Sequence, residues 1–246
     1  MADSGIRFSI AAYAAWAPGV ETPEAWLDWA SGRREIDGDS EPALRSMAPM
    51  LRRRAGVLDR MALEVAYRCL GDRTGVAAIF CSRHGETARS VQLLTDLARG
   101  LPLSPTNFGL SVHNATGGLF SIARGDHAGS SALAAGASSV EHAAVEACGL
   151  LADGETEVLL VVYERPLPAL YAAYQDCREQ PYAWAWLIRP PAGAVVSLSW
   201  SKADDQEIIS TERYSPGLEI LRFYFHGDRS LDHVCQRRRW RWSWDV

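Results

Sequence analysis

The sequence lacks the features that would place it at once in a disulfide-rich, nucleic-acid-binding or membrane class. Its five cysteines are widely spaced without a CxxC pair, which fits a reducing cytosol better than a disulfide framework. A net charge of −5 argues against a nucleic-acid partner held by bulk electrostatics. The apolar run at 10–16 is too short for a transmembrane segment and lacks the basic lead of a signal peptide. We therefore expect a cytoplasmic protein. No metal-ligand spacing occurs, so we expect no metal site.

Buried strands are the clearest signal that is present. The continuous apolar runs at 74–81 and 157–163 are bounded by turn residues, as in strands covered on both faces. A buried strand at 130–135 should lie near the sheet centre or at a dimer seam, with a helix over 138–152 packed against it. Strands at 183–188 and 194–200 are expected to form an antiparallel pair. The pattern predicts an α/β fold, with a mixed sheet and helices packed on its faces.

Three further segments complete this description. A charged, loop-rich stretch at 33–48 is long enough to suggest a binding or docking role. Proline and glycine bound a last helix over 215–225. In the tail at 236–246, Trp alternates with Arg, which suits stacking on nucleic acid, insertion at a membrane interface, or a terminal strand. The negative net charge favours the strand, with its Trp side packed on the body and its Arg side facing solvent or a partner.

The stretch 104–148 organises the chain. It reads as a short helix, a polar turn at His113 and Asn114, a helical segment to 122, the strand and then the helix. The corner at 135–139 (AGASS) lies where strand meets helix, a place where many α/β enzymes direct a nucleophile at a helix N-terminus. No cysteine stands there. The His113-Asn114 turn either faces a partner or is a structural turn in which Asn114 bonds its own backbone.

Several phrases together resemble one family over nearly the whole chain. They are SPTNF at 104–108, SVHN at 111–114, LRRRAGVLDRMAL at 51–63, and LRFYFHGD with RRWRW between 221 and 242. The chain resembles the N-terminal half of a β-ketoacyl synthase, a thiolase-like condensing enzyme. It is most similar to the short chain-length-factor-like subgroup found beside aryl-polyene and related pigment synthases. The resemblance implies a single ketosynthase-like domain over 1–246 with a thiolase-like half fold.

The same resemblance implies that the chain does not catalyse condensation by itself. In the family, the corner carries a nucleophilic Cys, and the gapless match places Gly136 at that position. The family's two C-terminal His motifs, of the HGTGT and GHN types, are also missing from this sequence. Cys148 cannot substitute, because three helical turns place it about 15 Å along the helix from the corner.

The function implied is that of a non-catalytic, chain-length-factor-like subunit in polyketide, polyene or fatty-acid-like biosynthesis. It would form a heterodimer with a Cys-bearing β-ketoacyl-carrier-protein synthase and shape that partner's acyl tunnel. No cofactor is expected on the chain itself, and acyl carrier protein with phosphopantetheine would bring the substrate. The candidate interface and tunnel residues are Phe108, Leu110, His113, Asn114, Leu119, Phe120, Gly136, Ala137 and Ser138.

Two other hypotheses stay open at this point. An independent acyltransferase or hydrolase would use Ser138 or His84, although Ser138 also suits a helix cap and His84 a polar turn. A carrier-protein docking module would use Arg52, Arg53 and Arg54, which could bind an acidic carrier or its phosphopantetheine phosphate. The plainer interpretation of these arginines is a solvated helix start.

Overall fold

A mixed sheet with helices on both faces forms the centre of the computed structural model, which describes residues 4–203 and 214–245. The strands are β1 Ser4–Trp16, β2 Ala77–Cys81, β3 Ser130–Leu133, β4 Val158–Glu164, β5 Tyr182–Arg189, β6 Val195–Lys202, β7 Ser230–Cys235 and β8 Arg238–Asp245. The helices are α1 Pro23–Ala30, α2 Pro49–Arg52, α3 Val57–Leu70, α4 Thr87–Ala98, α5 Pro105–Gly109, α6 Ala115–Arg124, α7 Ser139–Ala152 and α8 Pro216–His226.

The strand order is β3-β2-β4-β5-β1-β6-β8-β7. Strands β3, β2 and β4 are parallel, whereas the other neighbours pair antiparallel. The predicted α/β fold with a mixed sheet is therefore confirmed.

Each face of the sheet carries its own apolar core, because successive side chains of a strand point to opposite faces. Leu160 of β4 belongs to the core shared with α1, α7 and α8, and its neighbour Leu159 to the core shared with α3 and α6. In β5, Trp184 and Trp186 lie on the first face and the small Ala183 and Ala185 on the second. These alanines let α3 pack closely on β5.

Strand β3 does not lie where a buried central strand was expected. It pairs with β2 at one end of the sheet, and its residues are exposed or half-buried. The central placement is therefore wrong, and the alternative placement at a dimer seam stays a prediction. The reason is local, since the sequence SSAL offers little apolar area to bury, unlike the VLLVVYE of β4.

Strands β5 and β6 also differ from the expectation, because they do not pair with each other. The long β1 lies between them and pairs with β5 over Ser9–Trp16 and with β6 over Ser4–Phe8. The buried hydroxyl of Ser9 accepts from the N–H of Ala192 and donates to the carbonyl of Ala194, at 2.9 and 2.7 Å. It thereby holds the connection between β5 and β6 against β1.

The end of the chain forms a β-hairpin, β7–β8, and β8 pairs with β6 along its length. Trp240 and Trp242 are buried, whereas Arg238 and Arg241 are exposed. The prediction of a terminal strand with its Trp side packed inward is confirmed, although β7 was not foreseen and residue 246 lies outside the described residues. The stretch 33–48 contains neither helix nor strand, as expected, and it is anchored by buried Ile36, Leu44 and Met47.

Candidate functional site

The corner after β3 lies at the edge of the sheet where the parallel strands β2, β3 and β4 end. Ligands of α/β proteins usually bind at this edge. Gly136 has φ +60°, in the left-handed region that favours glycine. A β-carbon added there would lie 3.2 Å from the side-chain amide nitrogen of Gln236, at the tip of the β7–β8 hairpin. Gly136 therefore offers no side-chain nucleophile, and a larger side chain there would have to displace the end of Gln236.

The two serines of the corner are occupied by local hydrogen bonds. The Ser139 hydroxyl donates to the Gly136 carbonyl at 2.7 Å and accepts from the Ala135 N–H at 2.9 Å. The Ser138 hydroxyl donates to the Ala135 carbonyl at 3.3 Å, and Ser138 is 1% exposed. The imidazole of His142 contacts the Ser138 backbone carbonyl rather than its hydroxyl. Both hydroxyls therefore bond the backbone of the corner itself, and the helix cap expected of Ser138 is wrong, because its side chain accepts no hydrogen bond from the first turn of α7.

A narrow chamber of about 30 Å³ lies behind the corner, between the sheet edge and the first turns of α7 and α8. A space of this size holds about one or two water molecules. Its polar and thiol-bearing wall includes Cys81, His84, Glu164, Cys177, Glu179 and Tyr182. Two polar atoms of this wall, Ser215 Oγ and Gln180 Oε1, are buried without a hydrogen-bond partner among the described residues.

Glu164 ends β4 and turns its carboxyl group inward. The carboxyl accepts a short hydrogen bond from the Arg83 N–H and one from the Ser82 hydroxyl at 3.3 Å. Burial raises the pKa of Glu164 to about 8, more than these hydrogen bonds lower it. The chamber therefore contains a carboxylic acid that is largely protonated at neutral pH.

The other charged groups of the chamber are engaged with one another. The Arg83 guanidinium binds Asp176 through two hydrogen bonds of 2.7 and 2.6 Å. His84 lies 3.9 Å from Glu179, whose carboxylate also accepts from the Leu167 N–H at 2.8 Å. Burial, followed by the charge of Arg83, lowers the pKa of His84, so its imidazole is neutral at pH 7.

The thiols near the chamber are not activated. Burial raises the pKa of Cys177 to about 12 and that of Cys148 to about 11, and it raises the pKa values of Cys81 and Cys235 as well. A cysteine nucleophile reacts as the thiolate, which these environments disfavour. Among the described residues there is also no group of three His, Cys, Asp or Glu side chains that could hold a metal ion.

Comparison with known proteins decides the family. The family described as "Beta-ketoacyl synthase, N-terminal domain" matches residues 26–243. The chain belongs to this family. One chain of the complex between the ketosynthase ApeO and its chain length factor ApeC from Xenorhabdus doucetiae is 27% identical, with a TM-score of 0.84. The match covers 97% of this chain and 99% of that chain.

Two more distant structures share the ketosynthase fold. The ishigamide ketosynthase/chain length factor is 14% identical, with a TM-score of 0.64 over 81% of this chain and 68% of that chain. The AntDE:AntF complex, a type II acyl-carrier protein with its ketosynthase bound to the hexaketide, is 11% identical, with a TM-score of 0.69 over 98% of this chain and 99% of that chain. At these identities the likeness shows the fold alone. No curated protein gives a significant match.

His113 connects the α5–α6 turn of this ketosynthase-family chain to the chamber. Its Nε2 lies 2.8 Å from the Ser82 carbonyl, and its ring packs on Gly85, where an added β-carbon would lie 2.9 Å from the ring. Ser82 in turn donates to Glu164. His113 therefore has a structural contact, whereas Asn114, which precedes α6, is exposed.

Leu119 and Phe120, expected at an interface, are instead buried in this chain at 5% and 6% exposure. The helix is oriented by Thr116, whose hydroxyl donates to the buried carboxylate of Asp59 on α3 at 2.6 Å. Positions 116, 119 and 120 share one face of a helix, so both apolar side chains point at α3 and the sheet. Their assignment to a partner surface is therefore wrong.

The apolar side chains that do face outward lie beside them. Phe108 is 66% exposed and Ile122 67% exposed, with Val112 between them, whereas Leu110 is half-buried. Helix α4 was not expected to take part, yet none of its residues is buried, and Leu94 and Leu97 are exposed. Its amphipathic spacing was visible in the sequence, but the direction of its apolar face was not.

Arg52, Arg53 and Arg54 lie around the end of α2 and do not reach the chamber wall. The Arg52 guanidinium donates to the carbonyls of Ala43 and Leu44, both at 3.4 Å, and so holds the 33–48 loop. Arg53 and Arg54 are exposed. In the described part of the chain, no helix is long and apolar enough to cross a membrane.

Proposed function

We propose that the chain is a non-catalytic, chain-length-factor-like subunit that pairs with a Cys-bearing β-ketoacyl synthase and helps to shape its acyl tunnel. The observation that carries this proposal is Gly136, a residue without a side chain at the corner where this family needs its nucleophile. The likeness to a complex between a ketosynthase and its chain length factor supports it. Polyene or fatty-acid-like biosynthesis in the cytoplasm is the setting that the family resemblance favours.

The surface proposed for the partner is defined by Leu94, Leu97, Phe108, Val112 and Ile122, and we name it the docking surface. All five side chains are between 46% and 67% exposed. Helix α4, with Leu94 and Leu97, packs against α5, with Phe108, and Val112 and Ile122 follow in the next turn and helix of the sequence. Large apolar side chains exposed together usually mark an interface. Strand β3 is an edge strand of the sheet and pairs with β2 alone. It directly follows α6 in the sequence.

Acyl carrier protein is the proposed source of substrate for the complex. Its phosphopantetheine arm is anionic at the phosphate, and exposed Arg53 and Arg54 are the side chains proposed to meet the carrier, with Arg52 holding the loop beneath them. Contacts of this kind weaken with salt, because exposed charges are screened.

Co-purification with a catalytic ketosynthase encoded beside this chain tests the proposal. Phe108→Asp and Ile122→Asp should abolish complex formation while leaving the melting temperature nearly unchanged, because both side chains are exposed. Leu27→Asp is the matched control, since Leu27 is 49% exposed on α1, and it should retain the complex.

The complex should elongate malonyl-carrier substrates and the isolated chain should not. Elongation by the isolated chain, or retention of both variants, would contradict the proposal.

The alternative of an independent acyltransferase or hydrolase keeps one supporting observation. His84 and Glu179 lie together in the chamber wall. Incubation of the isolated chain with acyl-carrier substrate, followed by mass spectrometry, distinguishes the two proposals. An acyl adduct on Ser138 would favour the alternative, and its absence would favour the partner role.

A further inference from the structure

Gln236, an exposed residue at the tip of the β7–β8 hairpin, reaches the corner from the outside. The amide nitrogen of Gln236 lies 3.2 Å from the point where a side chain of residue 136 would begin, which is closer than ordinary van der Waals contact. Gln236 comes from the opposite end of the sequence and reaches the corner only because β7 and β8 fold back as a hairpin. We propose that Gln236 is a plug, a specificity-determining side chain that keeps acyl groups and carrier arms away from this subunit's own corner.

The hairpin tip is held in an uncommon conformation. A two-residue loop, Gln236-Arg237, joins β7 to β8, and both residues have positive φ, at 50° and 64°. Such turns usually contain Asn-Gly or a related pair, because residues with a side chain avoid this region. Non-glycine residues remain in this conformation when the surrounding structure fixes them.

Contacts on both sides of the hairpin tip hold Gln236 and Arg237 in this backbone conformation. The His233 imidazole lies 2.8 Å from the buried carboxylate of Glu141 on α7. On the other side of the tip, the ring of Trp240 meets His142 of α7 edge-on, with centroids 5.1 Å apart. The Arg237 carbonyl accepts from the Ala203 N–H at 2.9 Å. The tip is therefore attached to the first turns of α7 and to the end of β6.

On the proposed function, the arrangement gives a second reason to expect no acyl transfer at this corner, separate from the missing nucleophile. Gly136 leaves space at the corner, and Gln236 occupies the direction in which a thiol would project. An acyl chain in a partner's tunnel would then find no opening at this corner. This inference deepens the proposed function, but it concerns the isolated chain, so its failure would be distinct from a failure of co-purification.

Thiol accessibility tests the plug directly. A cysteine introduced by Gly136→Cys should react slowly with iodoacetamide, measured by mass spectrometry of the peptide that contains residue 136. Adding Gln236→Gly should speed the reaction about tenfold or more, since exposure controls thiol reactivity. Adding Gln236→Met instead should leave it slow, because Met keeps the length of the side chain. Equal rates in all three proteins, or a rate with Met as fast as with Gly, would overturn the proposal.

A second measurement avoids any substitution at the corner. In the otherwise unchanged chain, Gln236→Gly should speed amide hydrogen exchange in residues 134–139, and Gln236→Met should not. Thermal melting of each protein establishes that it is folded. Unchanged exchange in a folded Gln236→Gly protein would also overturn the proposal.

Discussion

At the scale of single residues, burial makes the ionisation of two carboxyl groups unfavourable to folding, Glu164 in the chamber wall and Glu86 in a separate cleft. Burial raises the pKa of Glu164 to about 8 and that of Glu86 to about 7. A carboxyl group that is fully solvated in the unfolded chain titrates near 4.3. The folded chain therefore binds more protons than the unfolded chain between these values, and its stability must fall as the pH rises through this range.

Glu164→Gln should reduce this pH dependence. The amide keeps an oxygen for the Arg83 N–H but carries no titrating proton, so the loss of stability between about pH 4.5 and 8 should become smaller. Part of it should remain because Glu86 titrates in the same direction. Denaturant unfolding at several pH values measures the effect, and Glu155→Gln, at an exposed position, serves as control. An unchanged slope in the Glu164 variant would contradict the assignment.

The chamber includes features that the sequence predicts and features that it does not. The missing nucleophile at Gly136 could be predicted, because the corner between strand and helix is a local feature of the sequence. The chamber itself joins Cys81, Glu164, Cys177 and the start of α8, which are far apart along the chain. No local pattern indicates such contacts. Gln236 gave no signal at all, because its turn contains neither glycine nor asparagine.

At the scale of elements, strands with long apolar runs were predictable and their neighbours were not. The runs that became β2 and β4 are buried on both faces whichever strands flank them, so composition was enough. Strand β1 changes its partner from β6 to β5 between Phe8 and Ser9, and a register shift between Ile10 and Ala12 lies within the part that pairs with β5. No local sequence pattern marks this change of partner. For β3, the polar Ser130-Ser131 pair was a sign of an edge strand that the prediction did not use.

Helix α6 allows a matched comparison of its two faces. Phe120→Ala should lower the free energy of unfolding by about 3–5 kcal/mol, the usual cost of removing a buried aromatic ring. The ring contacts Phe80 and Tyr67, with centroids 5.6 and 5.4 Å apart. Ile122→Ala on the same helix should change stability by only about 0.5 kcal/mol, because Ile122 is exposed. Chemical denaturation of both variants measures the difference, and similar losses would contradict the orientation of α6.

At the scale of the whole molecule, the sheet and its two cores are complete, whereas the docking surface is apolar and uncovered. The edge strand β3 and the helices α4 to α6 lie in one continuous stretch of sequence, 87–133. An obligate interface commonly buries more than about 2,000 Å². A chain that exposes such a surface without its partner has a driving force to cover it by other means.

The isolated chain should therefore self-associate in a concentration-dependent way. Leu94→Ser, Leu97→Ser and Phe108→Ser combined should shift it toward monomer in sedimentation velocity experiments without a large change in melting temperature. Leu170→Ser with Tyr174→Ser is the control, because both side chains are 72% exposed but lie outside the docking surface.

Sodium sulfate should strengthen the self-association, because excluded salts favour apolar burial. Moderate sodium chloride should not dissociate it, whereas it would weaken a contact held by ion pairs. A wild-type chain that stays monomeric at high concentration would show that this surface is stable in water, and the argument for an obligate partner would lose its physical basis.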